Sequence, residues 1–435
     1  MTAEVAILNK LGVALAADST VSIGDKTYDS ANKLFTLSKY HPVGILIYNT
    51  MELNSVPLEI LIKSYREQLK DRSHKTLKEY SSEFVKYLTE KIPVGKEEER
   101  DNVANLVRDI CTKLHDDLED VCDDKSIDIE DASKDEDIKR LLDEALKVLS
   151  ARTTAAKQFP GFSDADVKKI ASEYAPLISS RVRRTFRRYG LSATKVRHIE
   201  SLVVKVIASN LISRDHSGFV IAGYGDDEHY PSIIPQRCDG FIVGKLKIVD
   251  GKATAVSNRN TAVIYPFAQS DVAELFVEGV AGSYQKYIEA GVSALLSGIA
   301  ETTAKYFGIS DTKKIGKLRK TLLTKAKEFR DGLKDRRYGD FVQPMLDAIR
   351  HLDKSELAML AENLVSITAL KRKISMDIET VGGPIDVAVI SKGDGFIWIK
   401  RKHYFEASLN PMFFRKYLPV PGFPSTPAKG RKGSK

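Results

Sequence analysis

The sequence predicts an α+β fold in which antiparallel sheets are layered with helices. Three observations lead there. Short apolar runs of strand length fall into three groups, near residues 4–47, 218–265 and 384–399, with long charged helical stretches between them. Within each group the runs are joined by tight turns, which connect antiparallel neighbours and are too short for a parallel crossover. A balance of 43% apolar and 29% charged residues over 435 positions suits a chain that buries a sizeable core.

The first group opens on a hairpin. Glu4 to Leu8 is β-prone, Lys10-Leu-Gly12 is a turn, and Val13 to Ala17 is a second apolar run ending at Asp18-Ser19. Gly24-Asp25 marks another turn, and Leu34–Leu37 and Val43–Ile47 read as two further strands. At Val56 the period changes. Pro57 stands at a helix start, and Leu58, Leu61, Ile62 and Tyr65 recur at helical spacing. Charged helical sequence runs on to about Ser213, with amphipathic stretches at Phe84–Leu88 and Leu141–Val148.

Strands return at Gly218–Tyr224, Gly240–Val243, Lys245–Val249 and Thr261–Tyr265. A second helical block covers Asp271 to about Leu370 and includes Ser355–Ser366. Pro384–Ile390, a Lys392-Gly-Asp-Gly395 turn and Phe396–Ile399 form a closing hairpin. The expected organisation is a core in three pieces, 2–66, 215–275 and 351–405, interrupted by helical insertions at 67–214 and 276–350. A Pro/Gly/Lys-rich tail at 406–435, partly disordered, follows them.

Composition narrows the functions. No run approaches the roughly 20 apolar residues of a membrane helix. The start, MTAEVAILNKLGVALAADS, lacks the pattern of a secretory signal, so a cytoplasmic protein is expected. Three scattered cysteines, Cys111, Cys122 and Cys238, suit reduced thiols, and neither a CxxC pair nor an HExxH motif suggests a metal. No cofactor is expected. Twelve acids between Asp116 and Asp137 read as a solvated surface, and the net charge of +8 is modest for this length. One basic patch, Arg181-Val-Arg-Arg-Thr-Phe-Arg-Arg188, carries five arginines in eight residues. It reads either as a grip on phosphates or as a helix face pairing with the acidic run, and nucleic acid is the weaker expectation.

Three candidate catalytic residues lie in the first 35 positions. Removal of Met1 leaves Thr2 with a hydroxyl and a free α-amine, whose ordinary pKa of about 7.7–8 lets part of it act as a base. Taken alone, a Met-Thr start is an ordinary terminus. Here Asp18 follows Thr2 by sixteen positions in Val13-Ala-Leu-Ala-Ala-Asp-Ser19, and Asn32-Lys33-Leu-Phe35 follows at the next strand. If the fold brings Lys33 beside Thr2, its charge would lower the pKa of the hydroxyl and amine, and Asp18 would hold that lysine in place and charged.

This arrangement resembles the start of a catalytic proteasome β subunit or its bacterial HslV-type relative. The resemblance covers residues 2 to about 66, and returns more weakly at 219–270 and 356–399. It implies an N-terminal-nucleophile (Ntn) hydrolase fold, a four-layer αββα sandwich, with Thr2 as nucleophile and Asp18 and Lys33 as its support. It implies a supporting serine and aspartate in the second half. Ser270 matches the serine, though it also reads as a helix N-cap, and Asp377, ahead of Val381-Gly-Gly-Pro384, is the nearest aspartate. It implies an oxyanion-stabilising backbone N–H where this chain has Tyr48 and Asn49 in place of the usual glycine. It further implies a peptide or unfolded-protein substrate, a homo-oligomer that encloses the nucleophiles, and an ATPase partner of unknown identity. A noncatalytic ring-forming scaffold or regulatory protein on the same fold is the other expectation.

Overall fold

A computed structural model describes residues 3–23, 26–124, 136–269, 271–375, 381–403 and 405–412. The Gly24-Asp25 turn and most of the tail lie outside them. The fold is α+β with antiparallel sheets. Eight strands come first: β1 (Ala3–Asn9), β2 (Gly12–Ala17), β3 (Val21–Ile23), β4 (Lys26–Tyr28), β5 (Leu34–Thr36), β6 (Val43–Asn49), β7 (Glu52–Leu53) and β8 (Val56–Pro57). Seven helices follow: α1 (Leu58–Leu69), α2 (Leu77–Lys91), α3 (Lys96–Asp124), α4 (Glu136–Ala155), α5 (Asp164–Glu173), α6 (Ala175–Thr185) and α7 (Ala193–Ala208). Then come β9 (Ser217–Gly223), β10 (Ser232–Ile242), β11 (Lys245–Asp250), β12 (Thr254–Ala255) and β13 (Ala262–Ala268). The chain continues through α8 (Asp271–Glu278), α9 (Gly282–Tyr306), α10 (Thr312–Arg337), α11 (Gln343–Ile349) and α12 (Lys354–Ile374) to the hairpin β14 (Asp386–Ser391) and β15 (Gly395–Lys400).

The first sheet has the order β13-β1-β2-β14-β15, and the second β11-β10-β9-β6-β5, with β12 also on β10. Every pair is antiparallel. The strands alternate between two buried faces, as their period of two requires. Along β1, Val5 and Ile7 pack with Leu357, Leu364 and Val365 of α12. Ala6 and Leu8 point the other way, onto Leu46 of β6 and Val220 of β9. In the second sheet, Ile45, Ile47, Phe219 and Ile221 face Leu58 and Ile62 of α1 and Tyr80 and Phe84 of α2. Both faces of each central strand are covered, which explains why these strands read as unbroken apolar runs.

The helix boundaries follow from caps. Thr76 and Glu79 make a reciprocal capping box at α2, and Asp353 and Glu356 do the same at α12. At the first hairpin, Asn9 Oδ1 accepts the Leu11 N–H at 2.9 Å, while its side-chain amide donates to the carbonyls of Ile349 and Leu352. That buried asparagine ties the hairpin to the C-terminal end of α11.

The expected helical stretch 67–214 divides between two cores. α2 joins α1 over the second sheet. From Val103 to Ala208 the buried side chains gather in a separate cluster, which touches the sheets through Ile242 and Val243. α9 and α10 pack on one another and bury little else, with only Ala300, Ala304 and Ala326 fully covered.

One strand is much longer than its sequence suggests. The expected Gly240–Val243 segment is the end of an eleven-residue strand that begins at Ser232. Pro231, Pro235 and the exposed Arg237 hide the rest. Pro235 is tolerated for a geometric reason. Its carbonyl accepts from Gly251 N–H at 2.7 Å, so its missing N–H faces the gap between β11 and β12, not β9.

Candidate functional site

The site forms where the two sheets meet at one end. β2 ends at Ala17, so Asp18 lies opposite Ala3, the residue that follows Thr2 in the chain. Asp18 N–H donates to the Ala3 carbonyl at 3.2 Å, and Ala3 N–H donates to Asp18 Oδ1 at 3.0 Å. Lys33 immediately precedes β5 in the other sheet, and its carbonyl accepts from Ile47 N–H at 2.8 Å. The Lys33 side chain crosses the intersheet space. Its Nζ donates to Asp18 Oδ1 at 2.5 Å and to the Thr20 carbonyl at 2.8 Å. Both side chains of this ion pair have 0% exposure.

Asp18 is held from several sides. Its Oδ2 accepts from Thr20 N–H and Gly382 N–H, each at 3.2 Å. Ser19 N–H donates to the Gly382 carbonyl at 3.1 Å, and the Ser19 hydroxyl donates to the Pro384 carbonyl. Thr20 Oγ1 donates to Asp29 at 2.6 Å. Gly383 has φ +68°, and a Cβ there would lie 2.9 Å from the Asp29 side chain. The Val381–Pro384 turn therefore needs that glycine to close over Asp18.

Asp18 and Lys33 are thus brought together. Thr2, Ser270 and Asp377 lie outside the described residues. Glu4, which the sequence reading does not supply, joins the buried Asp18–Lys33 cluster. Its Oε1 is 3.7 Å from Lys33 Nζ, and its side chain is as fully buried as that of the lysine. A signal for it was present, because Glu4 is in phase with Ala6 and Leu8 on the inward face of an otherwise apolar strand. A carboxylate on such a face needs a cationic partner.

Tyr48 and Asn49 extend β6 two residues past the expected strand end, where they pair with Gly218 and Ser217 of β9. Ile47 N–H points to Lys33, so alternation turns the Tyr48 N–H toward β9 and away from Lys33. Asn49 has φ 65°, which ends the regular strand there. Its side-chain amide donates to the Arg214 and His216 carbonyls, the latter at 2.8 Å. The Tyr48 ring lies between the sheets. It stacks on Phe267 at 5.5 Å and meets the His216 ring edge-on at 5.8 Å. Burial pushes its phenol up to about 12, so the hydroxyl stays protonated at neutral pH. Burial lowers the His216 pKa below the ordinary imidazole value.

Two other kinds of chemistry are poorly served. Cys111 and Cys238 are buried, and burial pushes both thiols up to about 12, far from a reactive thiolate. Among the described residues, His115, Asp116 and Glu119 of α3 bring three metal-type ligands together. Asp116 is already paired with Arg214 at 2.6 Å, and His115 Nε2 lies 3.0 Å from the Tyr189 hydroxyl, so this group serves surface pairing.

The sequence matches no known family model and no curated protein at a significant level. No helix among the described residues is long and apolar enough to cross a membrane.

Proposed function

We propose that this chain is a proteasome-like, threonine-type amide hydrolase acting on peptides, built on an Ntn-hydrolase αββα sandwich with helical insertions. The observation that carries the reading is the buried Lys33–Asp18 pair, whose carboxylate also accepts from Ala3 N–H. The charge centre is thereby fixed one residue from Thr2. The stacking of α12, the two sheets and the α1–α2 pair supports the fold assignment.

Once Met1 is removed, the Thr2 α-amine takes the proton of its own hydroxyl, and the oxygen attacks the substrate carbonyl. The C–N bond breaks, the amine leaves with a proton, and an ester to Thr2 remains. Water then attacks that ester, the acyl C–O bond to Thr2 breaks, the acyl group leaves as a carboxylic acid, and the threonine oxygen regains its proton. Lys33 supplies positive charge close to the reacting oxygen, and Asp18 positions Lys33. The Asn49 backbone is the better placed of the two predicted oxyanion donors, because alternation commits the Tyr48 N–H to β9. Ser270 and Asp377 remain proposed supports. The test is a peptide-amide hydrolysis assay on the full chain and on Thr2→Ala. Turnover lost by several orders of magnitude supports the reading, and turnover within roughly tenfold of the parent overturns it.

One observation favours a second reading, a noncatalytic scaffold on the same fold. Tyr48 occupies the expected oxyanion position with its ring packed between the sheets and its backbone in the ladder. Absence of hydrolysis and of any Thr2 adduct in folded material would select it. Either reading accommodates assembly with further copies. The α9–α10 hairpin leaves Tyr287, Leu295, Tyr306 and Phe307 more than half exposed, a surface suited to burial against a second copy.

A further inference from the structure

The helical body carries a groove that the proposed hydrolysis does not use. It lies between α3 and α6 and encloses about 430 Å³. Arg100 and Arg108 line it from α3, and Arg181 and Arg184 from α6, with Asn105 and Ser180 between them. No acidic residue is among those lining it. The spacing explains the convergence. Positions 100 and 108 lie two turns apart on one face of α3, and 181 and 184 one turn apart on α6.

These four cations carry no partner among the described residues of the chain. Among the described residues none of the four is hydrogen-bonded or ion-paired, whereas Arg214 and Lys195 of the same body are paired with Asp116 and Asp143. Four guanidinium groups sharing a small concavity repel one another, and a multiply charged anion removes that repulsion. Guanidinium forks match the oxygens of a phosphate pairwise, so this grouping recognises phosphate better than a single carboxylate. The first turn of α6 borders the groove through Pro176, adding the positive end of that helix. The groove opens to solvent, and its volume of about 430 Å³ has room for a compact polyanion.

We propose that the α3–α6 groove is a binding site for a compact oligophosphate, either free or carried by a nucleotide. The site resides in the helical body and is independent of the Thr2 chemistry.

The experiment is isothermal titration calorimetry of the full chain with tripolyphosphate, with ATP and with inorganic monophosphate, at fixed ionic strength of about 150 mM. The expected result is one saturable site per chain for tripolyphosphate, with monophosphate much weaker. Arg108→Gln with Arg181→Gln should weaken binding by roughly tenfold or more per guanidinium removed. Arg183→Gln with Arg187→Gln, which removes the same charge outside the groove, should leave it nearly unchanged. Equal affinity for ATP and tripolyphosphate would assign the site to the phosphate chain alone, and tighter ATP binding would add recognition of the nucleoside. Circular dichroism checks that the variants fold. If the double Gln variant does not, Arg181→Lys keeps the charge, loses the fork and should still weaken binding severalfold. Absence of saturable tripolyphosphate binding would overturn the proposal. So would equal losses in the two double variants, or binding of single-stranded RNA that grows with length and ignores Arg108 and Arg181.

Discussion

Replacing Lys33 by methionine tests whether the site is the buried ion pair described above. The side chain keeps its length and apolar stem but loses the charge and both donated hydrogen bonds, to Asp18 at 2.5 Å and to the Thr20 carbonyl at 2.8 Å. An exposed ion pair contributes only about 0–1 kcal/mol. Here both side chains have 0% exposure, and Glu4 stands 3.7 Å from the same ammonium. Removing one partner of such a pair strands the other and costs about 3–5 kcal/mol. Lys33→Met should therefore destabilise the fold by that amount in urea unfolding followed by circular dichroism. Combining it with Asp18→Asn should cost at least about 1–2 kcal/mol less than the sum of the single changes, because the stranded charge has gone. A single-variant loss below about 1 kcal/mol, or strict additivity of the two, would refute the claim that the pair is desolvated and coupled.

Other outcomes follow from the same geometry. Gly218→Ala would place a Cβ 2.3 Å from the Tyr48 ring, so it should destabilise by roughly 1–3 kcal/mol, and adding Tyr48→Ala should cost less than the two changes summed; thermal unfolding measures both. The lowered pKa of His216 means that the unfolded chain binds more protons below about pH 6.5, so stability should fall as the pH drops through that range, and His216→Phe should flatten the dependence in denaturation curves taken from pH 7.5 to 5. Mass photometry at micromolar concentration should find species larger than the 48.4-kDa chain, and a single monomeric peak would remove the enclosed-chamber reading.

Much of this fold is legible because burial on both faces of the central strands leaves little but apolar residues. β1, β2, β6 and β9 stand out for that reason. β10 does not, because Pro235 answers to a gap in pairing and Arg237 stands exposed within the ladder, which sequence pattern alone does not display. Asp18 and Lys33 are legible through their resemblance to the proteasome-type pattern, and they do meet. Glu4 is legible only through phase, once the strand is known to be covered on both sides. The division of the helical segment into α2 over the sheet and a separate body beyond α3 depends on which amphipathic faces meet, and hydrophobic period does not say which. Likewise, the arginine run reveals its own charge, but its convergence with Arg100 and Arg108 arises only when α3 and α6 pack.

The central claim is that Thr2 is a nucleophile activated beside the Lys33–Asp18 pair. It is tested most directly by treating the purified full chain with a threonine-directed electrophile, then measuring intact mass and mapping the modified peptide. The account predicts one adduct per chain, on Thr2, with Met1 absent; it is lost in Thr2→Ala and greatly slowed in Lys33→Met. An adduct on another residue, or hydrolytic activity in material that retains Met1, would contradict it.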